Sequence, residues 1–120
     1  MLAALDVIWI HDGFIRPPGP KMVVCLEPRL GLFFRINSEP KWQTPVLLTV
    51  ADHPFLKWDS HLECGEPLEL DDYMIEESVR HRGIIGRVKP ELAAVIYGAI
   101  VAAKTVSDND KAAIKVALGL

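Results

Sequence analysis

Through the first three-quarters of the 120-residue chain, apolar positions come in short β-branched or alternating runs; in the last quarter they recur at three and four. The first pattern belongs to strands and the second to an amphipathic helix. Residues 7–10 form a strand, and His11-Asp12-Gly13 supplies turn chemistry before Phe14 and Ile15, a hairpin signal. Arg16-Pro17-Pro18-Gly19-Pro20 follows as a loop, because prolines cannot donate to a sheet. Residues 22–26 and 32–36 are the arms of a second hairpin, turned by Pro28-Arg29-Leu30-Gly31 and ended by Asn37-Ser38-Glu39-Pro40. Residues 46–50 make the next strand. The stretch 55–64 is two-faced, with Phe55, Trp58, Leu62 and Cys64 apolar among polar neighbours.

Leu68 and Leu70 alternate with Glu69 and Asp71 as in a half-buried strand, and residues 72–79 allow one or two helical turns. Gly83 to Val88 reads as a short strand whose glycines mark a bend or a close approach. Pro90 and Glu91 open a helix carrying the stripe Leu92, Val95, Ile96, Ala99, Ile100 and Ala103, with Gly98 available for close packing on a sheet. Ser107 N-caps a last helix that runs to about Leu118 and stops at Gly119. The expected fold is α+β: one domain over residues 1–120. A small, strongly bent antiparallel SH3-like β-barrel fills about 5–88, with C-terminal helices over about 90–118 packed on it.

Composition narrows the class. Half the residues are apolar and 24% charged, which suits a folded globule rather than a disordered chain. The net charge of -3 supplies no global field for a polyanion, so any such partner must meet a local patch. The amino terminus lacks a basic region and carries Asp6 within its apolar run, and no apolar stretch approaches the roughly 20 residues of a membrane span. A cytoplasmic chain without membrane contact is expected. Cys25 and Cys64 show no CxxC spacing and read as reduced, buried thiols. His11, His53, His61 and His81 match no metal-site spacing, so no metal or cofactor is expected.

Several residues carry candidate chemistry, each with a plainer reading beside it. Asp59 and His61 lie two apart on a strand and would face one way; a carboxylate beside an imidazole suits proton transfer, or makes only a surface hydrogen bond. Asn37 and Ser38 cap the chain or present an amide and a hydroxyl to a phosphate. Lys21, Arg35, Arg16 and Lys57, with His53 next to the 55–58 segment, are solvated surface groups or contacts for RNA phosphates. Trp42, in a polar loop flanked by Pro40 and Pro45, is a base-stacking platform or a partner anchor, unless its loop folds back over the sheet.

The run KMVVCLEPRLGLFFRINSE resembles the second and third strands of the MazF/PemK-like toxins of toxin–antitoxin pairs. FLKWDSHLEC resembles that family's Asp-Ser strand, and RGIIGRVKPELAAVIYGAI its closing glycine, apolar residue and aliphatic helix. The resemblance spans roughly residues 13–103 by order and spacing. It implies an SH3-like barrel, usually a homodimer, that cleaves single-stranded RNA without metal and is held by an antitoxin protein. The 2′-hydroxyl attacks the adjacent phosphate, which calls for a base, an acid and a cation. Carried over by position, Lys21 is the basic entrance, Ser38 the second of the hydroxyl pair, and Asp59-Ser60 the Asp-Ser element; His61 is added on local chemistry alone. Asn37 replaces the usual threonine and Lys21 an arginine. GEPLELDDY offers Glu69 and Asp71 but lacks the arginine some members carry there. The expected site is a single concavity gathering Lys21, Arg35, Ser38, Asp59 and His61. The competing expectation is a non-catalytic barrel that binds a basic protein through Trp42 and the acidic stretch 63–77.

Overall fold

The computed structural model describes residues 2–41 and 44–120; Trp42, a candidate RNA contact, lies outside them. The fold is α+β as expected: a strongly curled antiparallel sheet, a half-barrel, with helices packed on it. β1 (Asp6–Asp12), β2 (Gly19–Glu27) and β3 (Leu32–Asn37) form its centre. β4 (Pro45–Leu48) and β5 (Ser60–Glu63) extend one side, and β6 (Leu68–Glu69) and β7 (Gly86–Arg87) are two-residue strands. The spatial order is β4-β5-β3-β2-β1-β7, with β6 also paired to β3.

Alternation along the central strands divides the apolar side chains between two cores. Val7, Val24, Phe34, Ile36 and Leu62 point to the larger one, which Ile96, Ile100 and Ile114 complete from α2 (Ala93–Ala102) and α3 (Asp108–Ala117). Ile8, Ile10, Val23, Cys25 and Phe33 point the other way, where Ile75 and Val79 of α1 (Asp72–Arg82) cover them. Cys25 and Cys64 therefore lie in different cores as free thiols. Burial pushes both up to about 12, so neither is a nucleophile near neutrality.

Four local expectations are corrected. β1 does not turn at Asp12-Gly13 but runs through Asp12, and the connection to β2 is the longer loop 13–18. The Asp-Gly signal yields because the Asp12 carboxylate is held inside, as described below. α1 has 11 residues rather than one or two turns, since Asp71 accepts the Met74 N–H at 2.8 Å as a true N-cap. Val95 of the expected apolar stripe is exposed. Gly98 meets nothing within 4 Å of a would-be Cβ and packs against no sheet.

Two other glycines are required by what surrounds them. Gly31 turns β2 into β3 at φ +66°, and a side chain there would also strike the Leu70 carbonyl. A Cβ on Gly86 would enter the Phe55 ring. Among the described residues, no helix is long and apolar enough to cross a membrane.

These surroundings give two glycine substitutions opposite signs. Gly98→Ala should stabilise the fold by about 0.5–1 kcal/mol through helix propensity, whereas Gly86→Ala should cost about 1–3 kcal/mol through overpacking. Urea unfolding of both variants measures the two, and equal effects would refute the assignment.

Candidate functional site

The loop between β4 and β5 builds one wall of the candidate site. Asp59 accepts the Val50 N–H at 2.8 Å and so ties the loop's two ends together. Inside the loop, His53 is fully buried; its Nδ1 lies 2.9 Å from the Thr49 carbonyl, and its Nε2 accepts the Lys89 N–H at 3.1 Å. An acceptor at Nε2 places the ring proton on Nδ1, where it donates to Thr49. The imidazole thus clips the loop to the segment leading into α2. The Phe55 ring packs edge-on to it, 5.9 Å between centroids, with Gly86 behind.

What this loop presents is an open groove of about 320 Å3. Phe55, Lys57 and Trp58 come from the loop, Ser60 from β5, Ser38 from the end of β3, and Lys21 from the start of β2. Trp58 is 58% exposed, so its ring face is open to a ligand. The buried Ser60 hydroxyl donates to the Trp58 carbonyl at 3.0 Å and fixes that residue's backbone. Lysines, hydroxyls and one exposed ring in a groove suit an anion carrying flat groups, such as a stretch of single-stranded nucleic acid.

A second polar cluster lies at the same end of the sheet on its other face. Arg35 follows Phe34 of the larger core and pairs across with Val23 of the smaller one, so it points to the α1 side. Its guanidinium is nearly buried and bonds Asp12 twice, Nε to Oδ2 at 2.5 Å and Nη2 to Oδ1 at 3.4 Å. Glu66 stands 3.5 Å from Nη1. Burial pushes the Asp12 carboxyl up, but Arg35's hydrogen bond, the Phe14 N–H and the charges of Arg35 and Lys21 outweigh it. The net result is a carboxyl held below its ordinary value.

Lys21 belongs to both clusters. It lines the rim of the groove, but it pairs with Ile10 of the smaller core, so its side chain leaves β2 on the Arg35 face, where its ammonium feels Asp12, Arg35, Lys41 and Glu63. Partial burial, then the positive charges of Lys41 and Arg35, bring its pKa below the usual lysine value.

The expectation of one concavity is corrected accordingly. Ser38 and Lys57 meet in the groove, with Lys21 at its rim. Arg35, Asn37 and His61 do not: Asn37 pairs with His61 across β3 and β5, out of register with the inward Ile36 and Leu62. Asp59 and His61 form no dyad, because the Asp59 carboxylate is engaged by Val50 while the buried His61 Nδ1 has no hydrogen-bond partner among the described residues. His53 is structural, with both ring nitrogens occupied inside the core. Arg16 is exposed in the β1–β2 loop and lines neither this groove nor the one beside α1. Sequence reasoning missed Asp12, whose place two beyond Ile10 and four beyond Ile8 continues the inward period. It also missed Phe55 and Trp58 as groove residues, while Ser60, carried over with Asp59, does line the groove. Compared with known proteins, the chain matches no family model and no curated protein sequence.

Asp12's depressed carboxyl makes a signed prediction. Its contribution is present above the ordinary carboxylate pKa of 3.8 and is lost as the pH falls through the lower folded value. Asp12→Asn should cost about 3–5 kcal/mol near neutral pH by leaving Arg35 short of a partner, and the gap from the parent should close in acid. Urea titrations from neutral pH downward test this, and a pH-independent gap would contradict it. His53→Ala should cost about 3 kcal/mol or more by orphaning the Lys89 N–H and opening a void.

Proposed function

We propose that this protein is an endoribonuclease of the MazF/PemK-like kind, acting on single-stranded RNA in the groove between the β4–β5 loop and the ends of β2 and β3. The observation that carries the reading is the convergence there of Lys57 and Ser38 beside the open ring of Trp58, with Lys21 at the rim. A base stacks on Trp58, and the neighbouring phosphate lies between the Lys57 ammonium and the Lys21 amine. Fixed cations and hydroxyls stabilise the added negative charge of a five-coordinate phosphorus.

In the proposed step the 2′-oxygen attacks phosphorus and the bond to the 5′-oxygen breaks. Lys21, in its neutral form, takes the 2′-hydroxyl proton, and the Lys57 ammonium gives one to the departing 5′-oxygen. The products are a 2′,3′-cyclic phosphate and a 5′-hydroxyl, with atoms and charge conserved. Lys21 suits the base role because its surroundings favour loss of its proton. Arg35 does not touch RNA, since Asp12 and Glu66 already occupy its guanidinium; it acts only by helping to lower the Lys21 pKa.

Incubating the protein with single-stranded RNA in chelator should give cyclic-phosphate ends at a rate that rises with pH while Lys21 loses its proton. Lys21→Ala should abolish cleavage. Binding of an uncleavable 2′-deoxy analogue should weaken with salt by a log–log slope of about -0.7 for each neutralised phosphate, and Lys57→Ala should remove about one such unit. Trp58→Ala should cost about 1–3 kcal/mol of binding. Absent cleavage together with unchanged binding in the Lys21 and Trp58 variants would end this reading.

A further inference from the structure

The outer edge of β1 is open over most of its length. β7 pairs only with Asp6 and Val7, and among the described residues no strand lies beyond Ile8–Asp12. Alternation decides which backbone groups face out. The Leu5 and Val7 carbonyls accept from Val88 and Ile85 on that side, each at 2.9 Å, so Trp9 and His11 turn their N–H and C=O outward too. On the inner side His11 stands opposite Pro20, which has no N–H to give, so the ladder to β2 makes no demand on His11. Unpaired donors and acceptors at strand spacing are a template for one more strand.

α1 stands alongside this edge and turns it into a groove of about 360 Å3, lined by Trp9 and His11 on one side and Tyr73, Met74 and Arg82 on the other. Tyr73 is 71% exposed, so the groove's outer wall is an uncovered ring. The Arg82 guanidinium lies over the Trp9 ring at 4.8 Å. Glu77, also at this groove, is engaged by Arg80 and His81, whereas Arg82 has no carboxylate partner among the described residues. The charge left over in the groove is positive.

We propose that an extended peptide docks here as an additional strand on β1, with an apolar side chain between Trp9 and Tyr73 and an acidic one beside Arg82. Main-chain pairing at Trp9 and His11 supplies affinity, while the rings and the cation select side chains. Alternating amide donors and carbonyl acceptors match a peptide backbone, which a phosphodiester chain does not. A second copy's sheet is a poorer occupant, because α1 stands against the edge that such a sheet would have to join. Trp9 separates this groove from the one proposed for RNA, so the two assignments stand or fall separately.

The test pans the folded protein against a phage-displayed library of random linear peptides and resynthesises the sequences that enrich. Enriched peptides should alternate apolar residues and carry an acid, and their binding should slow amide exchange at Trp9 and His11. N-methylating the peptide amides that face β1 should weaken binding about tenfold, the worth of one or two hydrogen bonds. Tyr73→Ala should weaken it as well, and Arg82→Glu should reverse the preference for an acid; both positions are on the exposed face of α1 and leave the cores intact. The proposal is overturned if no peptide enriches, or if N-methylation has no effect. It is equally overturned if the Trp9 and His11 amides are protected by RNA, or by self-association at raised concentration, instead of by peptide.

Discussion

Phe33 and Phe34 leave β3 in opposite directions, and both are fully buried. A strand with a core on each face has no solvent side, so the polar residues that follow must be satisfied where they fall. Ile36 continues the Phe34 face and leads to Ser38 at the mouth of the groove. Arg35 continues the Phe33 face, where a guanidinium without a carboxylate would be costly. That necessity explains why β1 carries Asp12 through to its end rather than turning before it. The same alternation places Asn37 and His61 away from the groove, whatever chemistry their side chains have.

The groove's other wall rests on a loop that behaves as a rigid part. Its closure by Asp59 and its buried imidazole clip, His53, satisfy backbone groups that an exposed loop would leave to water. Phe55 is wedged between that imidazole and Gly86, so the β7 segment, remote in sequence, sets the groove floor. Lys57 and Trp58 then project from a fixed base. Preorganisation of this kind is what a site needs if its cations are to act on a transition state rather than move with the ligand.

Much of this was legible from periodicity. The two hairpin arms, the closing helices with their Ser107 and Gly119 ends, and the close approach at Gly86 follow from residue patterns that act over a few positions. Lys21, Ser38 and Lys57 were legible as candidates because strand ends and loops meet at one rim of a curled sheet. The failures share a cause. Asp12, Asp59 and His53 have partners 23, 9 and 36 residues away, and no local pattern reveals where a polar side chain will find its complement. Asp-Gly is a genuine turn signal, but it was overruled by a buried arginine two strands away. Length was misjudged in α1 for a similar reason: its support comes from Ile75 and Val79 lying on the face that β1 and β2 provide.

Lys21 shows how the electrostatics of the two clusters become one problem. Its ammonium is partly desolvated and close to two other cations, so folding holds its proton less tightly than the open chain does. The sign follows: this group opposes folding while it is charged, and the opposition fades as the pH rises through its lowered value toward the ordinary 10.5. Asp12 and Glu63 offset part of that repulsion, yet Asp12 is already committed to Arg35. Among the described residues the groove's own lining carries Lys21 and Lys57 and no carboxylate, in a chain whose net charge is -3. An anion placed there removes a repulsion the fold otherwise carries, and binding and stability are coupled by that relief. The net charge of the whole chain is thus a poor guide to its ligands, because the field that matters is set by a few groups within about one Debye length.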